Sequence, residues 1–559
     1  MAFPDFPVGL GEQADPGTKL DPSSISSDYA ALQEYWHLVD TILGGKEAMQ
    51  KQGEKYLPRF QEEQRNSKDS QQRTYDPYLR RLQMAPFTNV FDDILKNLSS
   101  KPFSRELKLK DGTPKPYTDL AEDIDAQGQS FHVFGHDVFR DTLAHAISWI
   151  MVDYTRAMPR ADGRALSRAE ESAQGLRPYW VWISAPRMLA AYSDVVDGQE
   201  TITHARYRED VVKLDAFLEV LVERVRVMWR EPIEFDLAGK PTAYGGAFYA
   251  LWERIQPPGG QTSGVWQIIE VGQYTIGYLP LVPVFLGERK FATYQTEPPL
   301  RNLAWMQLEE YNLESNIQGI GESTCFPMYA AIGMNRPKDE TLVVGPRSVV
   351  YVPPPGEGRM GDFKAVEPSG SSVKVMVDRL KEVRTEMRDL GMQPLTQSNL
   401  TVITTGQVAV KANSQVEAWA IRFRDALEQC WMITADWLGQ PNFQPEVIIH
   451  LDYSAAMDQG VGFNSVQQMR LNKDVSRETV VSAAQRYGYL PDDYDAQHDA
   501  ELLAEEQQGL QPETQIDPRT GKPIVASGAP PQPPPQPPPQ PPPGAPPIGN
   551  GRQRTPARA

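Results

Sequence analysis

Two stretches with regularly spaced apolar residues organise this sequence: PLRNLAWMQLEEYNLESNIQGI (299–320) and SVKVMVDRLKEVRTEMRDLG (372–391). Apolar residues recur at every third or fourth position in both, which predicts two helices. At about 1.5 Å per residue, each helix is roughly 30 Å long. The helices are therefore long enough to lie antiparallel and to hold the intervening segment, 321–371, at one end.

The first of these helices carries two apolar stripes, whereas the second carries one. Leu300, Leu308 and Tyr311 belong to one stripe of the first helix, and Leu303 and Ile317 belong to the other. A helix with two apolar stripes is predicted to contact two neighbours. An ordinary helical hairpin inside a globular core is the simpler alternative, and the spacing leaves it open.

Short apolar runs broken by turn residues predict a small β-rich unit within 321–371. Its predicted strands are 328–332, 342–344 and 348–352. After Gly391 the sequence predicts a polar, threonine-rich loop and then a long helix from Ser414 to Gly439. A strand at 446–453 and a helical region at 464–506 follow.

The first half of the chain predicts helices followed by a sheet. Residues 1–27 are rich in proline, glycine and serine, which predicts a mobile arm. Helices are predicted at 28–44 and 131–154. Between 178 and 291, short β-branched and aromatic runs predict a mostly antiparallel sheet packed on these helices. These runs are 179–183, 225–229, 266–271 and 282–286. The fold class is therefore predicted to be α+β.

The last part of the chain changes abruptly in composition. The run APPQPPPQPPPQPPP (529–543) is typical of a polyproline II rod without a hydrophobic core. A disordered tail over 507–559 is the expectation, and a peptide that docks on a partner is the alternative.

The net charge of −17 argues against a protein that grips nucleic acid by neutralising phosphates over its whole surface. It is compatible with a surface along which nucleic acid slides. Two cysteines, Cys325 and Cys430, form no disulfide framework, which indicates a reducing compartment. We find no signal peptide and no apolar run long enough to span a membrane.

Candidate catalytic and metal-binding residues are few. His132 and His136 are spaced i, i+4 on a predicted helix, a spacing that can hold a metal ion. The HExxH pattern is absent, and the surrounding phenylalanines and valines indicate a packing helix. Residues 321–325 resemble a nucleophile elbow but lack its closing glycine and its leading strand. We therefore predict no enzyme, metal site or cofactor, and a hydrolase or metal enzyme built on the histidines is the minor alternative.

Several stretches, in this order, resemble the portal proteins of tailed bacteriophages. They are WHLVD (36–40), ILGGKE (42–47), GEKYLP (53–58), FTN (87–89), KPF (101–103), YLPLVPVF (278–285), PPLRNLA (298–304), LEEYNLES (308–315) and TGQVAVK (405–411). The last is similar to the SGxAxK stretch of the family, with threonine for serine and one residue added before the alanine. The resemblance covers residues 30–506 and rests on the order of the set.

The resemblance implies a portal fold with a wing of helices and antiparallel sheet, a helical stem, a β-rich clip and a helical crown. With the arm and tail added, the implied parts are an N-terminal arm (1–27), a wing (28–298), a first stem helix (299–320), a clip (321–371), a second stem helix (372–391), a tunnel loop (392–413), a long helix with a returning wing strand (414–460), a crown (461–506) and a proline-rich tail (507–559).

Family membership would imply a dodecameric ring at one capsid vertex, through which double-stranded DNA passes during packaging and ejection. The implied partners are the terminase, head–tail adaptor proteins, and the major capsid and scaffolding proteins. The implied location is the virion, with assembly in the host cytoplasm. The alternative is another virion or scaffold protein that docks through its proline-rich tail.

If the resemblance to portal proteins holds, two sets of residues are candidates for function. The candidates for the DNA channel are Lys374, Lys381, Arg388 and Lys411. The candidates for the subunit interface are Leu300, Leu303, Leu308, Tyr311 and Ile317. Solvated surface charge, paired at i, i+4 spacing as in Lys374 and Asp378, is the alternative for the cations.

Overall fold

The computed structural model describes residues 6–509 apart from a set of internal segments. These are 62, 64–75, 156–173, 197, 238, 240, 256–263, 291–292, 326–327, 333–348, 353–361, 367–370, 392–401, 452, 454–460, 487–488 and 491–493. The chain divides into two compact units, Met1–Asp458 and Gln459–Ala559. The predicted proline-rich tail lies outside the described residues from 510 onward.

The first unit contains helices and strands in alternating groups. Its helices are α1 (Ser27–Ala30), α2 (Gln33–Leu43), α3 (Gly45–Gln52), α4 (Pro77–Met84), α5 (Val90–Ser100), α6 (Lys115–Glu122), α7 (Phe131–His145), α8 (Arg301–Cys325), α9 (Ser371–Leu390) and α10 (Val402–Trp437). Its strands are β1 (Gln13–Ala14), β2 (Lys108–Leu109), β3 (Ile147–Tyr154), β4 (Pro178–Ser184), β5 (Met188–Val196), β6 (Gln199–Arg208), β7 (Val211–Asp215), β8 (Leu218–Val222), β9 (Arg224–Phe235), β10 (Pro241–Ile255), β11 (Val265–Tyr274), β12 (Leu281–Phe285), β13 (Glu288–Arg289), β14 (Thr296–Glu297), β15 (Met328–Ile332), β16 (Val349–Val352), β17 (Asp362–Val366) and β18 (Val447–Ile448).

Antiparallel sheets dominate the strand pairing. Among the described residues, the largest sheet has the order β1-β11-β10-β9-β6-β5, and a second has the order β12-β3-β4. Every neighbouring pair in these two sheets is antiparallel. The predicted α+β class with a mostly antiparallel sheet is thereby confirmed.

The predicted helix at 131–154 is wrong in its second half. Helix α7 ends at His145, and Ala146 has a left-handed φ of 74° that turns the chain out of the helix. Residues 147–154 then form β3, which lies between β12 and β4 in its sheet. A central strand buried on both faces is apolar at nearly every position, so its sequence does not alternate and is easily taken for a buried helix.

The predicted mobile arm is docked on the largest sheet in its described part, residues 6–27. Gln13 and Ala14 pair with Gln267 and Trp266 of β11. The ring of Phe6 packs edge-on against Trp229 at a centroid distance of 5.6 Å. The few apolar residues of this segment are enough to anchor it because strand pairing with β11 satisfies its backbone.

An aromatic cluster joins α7, β4 and α10 at the centre of the first unit. The rings of Trp180 and Trp431 lie 5.0 Å apart, and Phe131 packs edge-on against both. The indole N–H of Trp180 donates to Thr434 Oγ1 at 2.9 Å. These contacts hold the C-terminal half of α10 against the β12-β3-β4 sheet.

Helix α10 begins at Val402, well before the predicted start at Ser414. Residues 402–413 are therefore helical, where the sequence predicts part of a loop, and 392–401 lie outside the described residues. Valine, threonine and glycine are poor helix formers, which is why the sequence predicts a loop. Once the buried half of the helix has formed, each further residue adds a hydrogen bond without a new nucleation step.

The second unit, Gln459–Ala559, is helical in its described part. Its helices are α11 (Val461–Leu471), α12 (Arg477–Arg486) and α13 (Ala496–Gly509). Ser476 caps α12 by accepting a hydrogen bond from the backbone N–H of Thr479 at 3.2 Å.

Candidate functional site

Helices α8 and α9 form a hairpin whose two long arms are joined by a small sheet. Met328, three residues after the end of α8, pairs with Val366, five residues before α9 begins. The end of α8 and the start of α9 therefore lie close together, so the two packed helices run antiparallel. With 25 and 20 residues, their lengths are about 37 Å and 30 Å.

The sheet at the end of this hairpin has the order β16-β15-β17 among the described residues. Strand β15 pairs parallel with β16 and antiparallel with β17. The sequence predicts β15 and β16 within one residue of their bounds but does not predict β17. The predicted strand 342–344 lies outside the described residues.

Part of each apolar stripe of α8 is covered within the same subunit. Leu300, Leu303 and Tyr311 are buried in its core, and Tyr311 packs edge-on against Phe87 at 5.8 Å. Helices α2, α4 and α5 cover one side of α8, and α9 packs against it as well. These three candidate interface residues therefore lie in the core of the subunit, and a role for them in a subunit interface stays a prediction.

Two other candidate interface residues keep some exposed surface. Leu308 is half-buried and packs against the core, and Ile317 is half-buried near the end of α8. A subunit interface at these two positions stays a prediction.

A buried polar seam joins the two helices of the hairpin. Arg384 of α9 donates to Glu310 Oε1 from Nε at 2.9 Å and from Nη2 at 2.6 Å, and it also pairs with Glu314. The side chain of Glu310 is 0% exposed, and its Oε2 accepts from Gln307 Nε2 at 3.0 Å. We call Gln307, Glu310, Glu314 and Arg384 the seam.

The seam extends to the start of α5. Gln307 Nε2 donates to the carbonyl of Thr88 at 2.9 Å, and Gln307 Oε1 accepts from the N–H of Phe91 at 2.9 Å. At the far end of α9, Gly391 lies so close to Ile94 that an added Cβ would stand 2.5 Å from it. The base of the hairpin is thus held to α5 both by hydrogen bonds and by close packing.

The environment of Glu310 changes its acidity. Burial is the largest effect and the nearby charge of Glu314 adds to it, so that the pKa of Glu310 rises to about 7 although Arg384 opposes the change. The sequence analysis missed this residue. The signal was present, because Gln307, Glu310 and Glu314 recur at helical spacing beside the apolar stripes.

The candidate channel cations lie on the exposed side of α9. Lys374, Lys381 and Arg388 are all exposed, and Lys381 pairs with Asp378 at 3.7 Å. Arg379, on the same helix, pairs with Glu309 of α8 at 3.0 Å. Lys411 belongs to α10, and its side chain lies outside the described part of the chain. This surface alternates positive and negative groups.

The histidines considered for a metal site have structural contacts. His132 Nδ1 accepts from the N–H of Leu107 at 3.0 Å, and the rings of His132 and His136 pack edge-on against Phe103. Within the described ranges, no group of three or more His, Cys, Asp or Glu side chains is placed to hold a metal ion. Residues 321–325 continue α8 and do not form a strand-to-helix turn.

A second buried charge cluster joins α2 and α7. His145 Nδ1 lies 2.8 Å from Asp141 Oδ1, and His145 Nε2 lies 3.1 Å from Asp40 Oδ1. Burial lowers the pKa of His145, but the charges and hydrogen bonds of Asp141 and Asp40 outweigh burial and raise this pKa to about 10. We call these three residues the His145 cluster.

None of the helices in the described residues combines the length and the apolar character that crossing a membrane requires.

Comparison with known proteins gives a partial match. Residues 299–438 match a family described as a domain of unknown function, DUF4055. This range includes α8, α9 and α10. No curated protein matches the chain.

Two solved structures from gene transfer agent (GTA) particles are similar to the chain. One, "Neck of native GTA particle computed with C12 symmetry", has 10% identity and a TM-score of 0.37, and the match covers 70% of this chain and 88% of that one. The other, "Neck of empty GTA particle computed with C6 symmetry", has 12% identity and a TM-score of 0.37, over 71% and 90% of the two chains. At that TM-score the likeness does not establish a shared fold.

Proposed function

We propose that this chain is the subunit of a phage-type portal, a ring at one capsid vertex through which double-stranded DNA passes during packaging and ejection. In this proposal the ring is dodecameric and belongs to the virion after assembly in the host cytoplasm. The proposal rests on the resemblance of residues 30–506 to portal proteins and on the geometry of the α8–α9 hairpin.

The observation that carries the proposal is the α8–α9 hairpin, which is held to α5 at its base and has a small sheet of its own at its tip. Two antiparallel helices of about 37 Å and 30 Å are fixed to α5 through the seam and hold the β16-β15-β17 sheet at their other end. A rigid pair of rods of this kind suits the stem of a ring, with the small sheet in the position of the clip. An ordinary helical hairpin in a core has no need of a separate sheet at its tip.

The charge pattern of α9 supports a passage that does not retain DNA. Lys374, Lys381 and Arg388 are exposed, but Asp378 and Asp389 are exposed beside them. DNA affinity grows with the number of phosphates neutralised, so a surface of mixed sign binds the duplex weakly. In the proposal these three cations line the channel, and Lys411 does so from α10.

The proposed role is structural and not catalytic. ATP hydrolysis would belong to a terminase that docks on the small sheet, and the same sheet would later meet head–tail adaptor proteins. Major capsid and scaffolding proteins would surround the ring. No cofactor is part of this proposal.

Electron microscopy of the purified full-length protein tests the proposal. We expect negative-stain class averages of a ring with an open centre, with a mass by light scattering of about twelve subunits if the family's ring size holds. Monomers, or closed particles without a central opening, would overturn the portal assignment.

A deletion tests the role given to the small sheet. Replacing residues 325–367 by a short glycine-serine linker leaves the seam in place, so rings should still form. These rings should no longer bind the terminase of the same phage in a pull-down experiment. Truncated rings that bind the terminase as well as the full-length rings do would contradict the docking role.

A further inference from the structure

A β-hairpin in the first unit exposes apolar side chains on both of its faces. Strands β7 and β8 pair with each other and, within the described residues, with no other strand. An isolated two-stranded hairpin is at best marginally stable in water, because it has no third strand or helix to cover it. We call residues 211–222 the apolar hairpin.

The register of the apolar hairpin shows which side chains share a face. Val212 pairs with Leu221 and Leu214 with Glu219, so the three apolar residues of these pairs point to one side. Leu218 and Val220 point to the other side. Leu214 is 76% exposed, and Phe217 in the turn is 99% exposed.

The base of the apolar hairpin is fixed to the largest sheet. Lys213 Nζ lies 3.0 Å from Glu253 Oε1 of β10, and Arg224 of β9 pairs with the same carboxylate at 2.7 Å. Asp210 accepts from the N–H of Arg224 at 2.9 Å. These contacts hold the hairpin in one direction, so its apolar residues are presented and not folded back on the sheet.

The exposed apolar area has the size of one side of a protein interface. Six large apolar side chains are exposed on the hairpin: Val212, Leu214, Phe217, Leu218, Val220 and Leu221. At about 100 Å² for each aliphatic side chain and about 150 Å² for Phe217, they expose on the order of 500 Å² summed over both faces. A monomer's largest apolar patch is typically about 300–600 Å². Each partner in a stable complex contributes about 800 Å² in total, of which about 56–65% is apolar.

We propose that the apolar hairpin docks on a neighbouring copy of this chain, an inference that rests on the ring of the proposed function. In a ring, each subunit contacts its two neighbours through two different and complementary surfaces, and an apolar surface that the subunit itself leaves uncovered suits one of them. The apolar hairpin is anchored at its base, and its two faces together have about the apolar area that one partner contributes to a stable complex. On α8, by contrast, Leu300, Leu303 and Tyr311 are buried within the subunit.

Photocrosslinking identifies directly the molecule that contacts the apolar hairpin. Benzoylphenylalanine replaces Phe217 in full-length protein assembled from an equal mixture of ¹⁴N- and ¹⁵N-labelled chains. We expect crosslinked dimers and higher multiples, with mixed-isotope peptides in mass spectra that join Phe217 to a second copy. Crosslinks found only within one chain, or none at all in assembled rings, would overturn the inference. The same substitution at Leu10, which is 73% exposed, is the matched control and should give no such multiples.

A charge-introducing variant measures how much the hairpin contributes. The combined changes Leu214→Asp, Phe217→Asp and Leu221→Asp should weaken self-association at least tenfold in sedimentation, whereas Leu10→Asp should leave it unchanged. Unchanged near-UV circular dichroism shows that the fold is intact. Rings that form equally well with the triple change would refute the docking role while leaving the portal proposal standing. An unaltered protein that forms no ring would instead refute the portal proposal itself.

Discussion

The seam and the His145 cluster each bury one cation with two carboxylates, but they differ in which charge is withdrawn from water. In the seam, the carboxylate of Glu310 is fully buried while Arg384 is 33% exposed. In the His145 cluster, the imidazole is 3% exposed while Asp40 is 54% exposed. The buried group is therefore an acid in one cluster and a base in the other.

This difference sets the charge state of each cluster. Burial raises the pKa of Glu310 to about 7, so that its charge is poised near neutrality. Two carboxylates raise the pKa of His145 to about 10, so that the imidazolium persists at neutral pH. One cation and two carboxylates can therefore give a group that changes its charge near neutral pH or a group that keeps its charge there. Which of the two results depends on whether the acid or the base is the buried group.

The two clusters also respond to pH in different ranges. In both, the pKa in the folded protein lies above the reference value of the unfolded chain, so the folded state binds more protons. Stability from each group is fully present below its reference pKa and falls as pH rises through the folded value. This stability is lost between pH 4.5 and about pH 7 for Glu310, and between pH 6.5 and about pH 10 for His145.

The largest expected effect comes from removing the cation of the seam. Arg384→Met at pH 8 should lower the free energy of unfolding by about 3–5 kcal/mol, because the carboxylate of Glu310 then stays buried without a cation beside it. Urea denaturation followed by tryptophan fluorescence measures it. All 11 tryptophans lie before residue 459, so this signal reports on the first unit.

Arg379→Met is the matched control for that change. Arg379 sits on the same helix and pairs with Glu309, but both side chains are about half-exposed. Exposed ion pairs contribute about 0–1 kcal/mol. Equal losses from Arg379→Met and Arg384→Met would show that burial of Glu310 does not determine the strength of the seam.

The sequence predicts the hairpin well but not what covers it. Apolar spacing identifies Leu300, Leu303 and Tyr311 as residues that need a partner surface, and the structure buries all three. Spacing cannot say whether that surface belongs to the same chain, because a neighbouring helix and a neighbouring subunit cover a stripe in the same way. For that reason the spacing alone does not distinguish burial within one subunit, which the structure shows at these residues, from burial against a second subunit.

Two other features of the structure were not predicted, because the sequence of a segment does not show what surrounds it in the fold. Strand β3 lacks alternation because it is buried on both faces, so its sequence does not distinguish it from the helix before it. The seam depends on Glu310 and Arg384, which are far apart in sequence. A carboxylate beside an apolar stripe hints at such a pair, but only the folded chain identifies the partner.

A smaller effect is expected from His145→Gln. At pH 6.5 this change should be destabilising, because Asp141 loses a charged partner in a buried place. Between pH 6.5 and 9.5 the deficit relative to wild type should shrink by about 2–3 kcal/mol, since wild type loses its advantage as pH approaches 10. Unfolding free energies of both proteins across this range provide the measurement. His136→Gln, which replaces a half-buried histidine of the same helix, is the matched control variant.

The smallest effect, and the sharpest test of the comparison, is expected from Glu310→Gln. Wild type should lose about 1–2 kcal/mol of stability between pH 5 and pH 8 through this residue, because the folded protein must then hold an ionised buried carboxylate. The glutamine variant cannot ionise, so its stability should depend less on pH over this interval, and its stability relative to wild type should improve toward pH 8.

Glu309→Gln supplies the control, because Glu309 is a neighbouring and half-exposed carboxylate on α8. Comparing the two variants separates the removal of a buried carboxylate from the removal of a half-exposed one. The contrary outcomes are that Glu310→Gln leaves the pH dependence of the unfolding free energy unaltered, or moves it into the range from pH 6.5 to pH 10. Either result would show that Glu310 does not change its charge near neutral pH. Arg384 would then hold Glu310 ionised throughout, and the two clusters would be alike in keeping their charges at neutral pH.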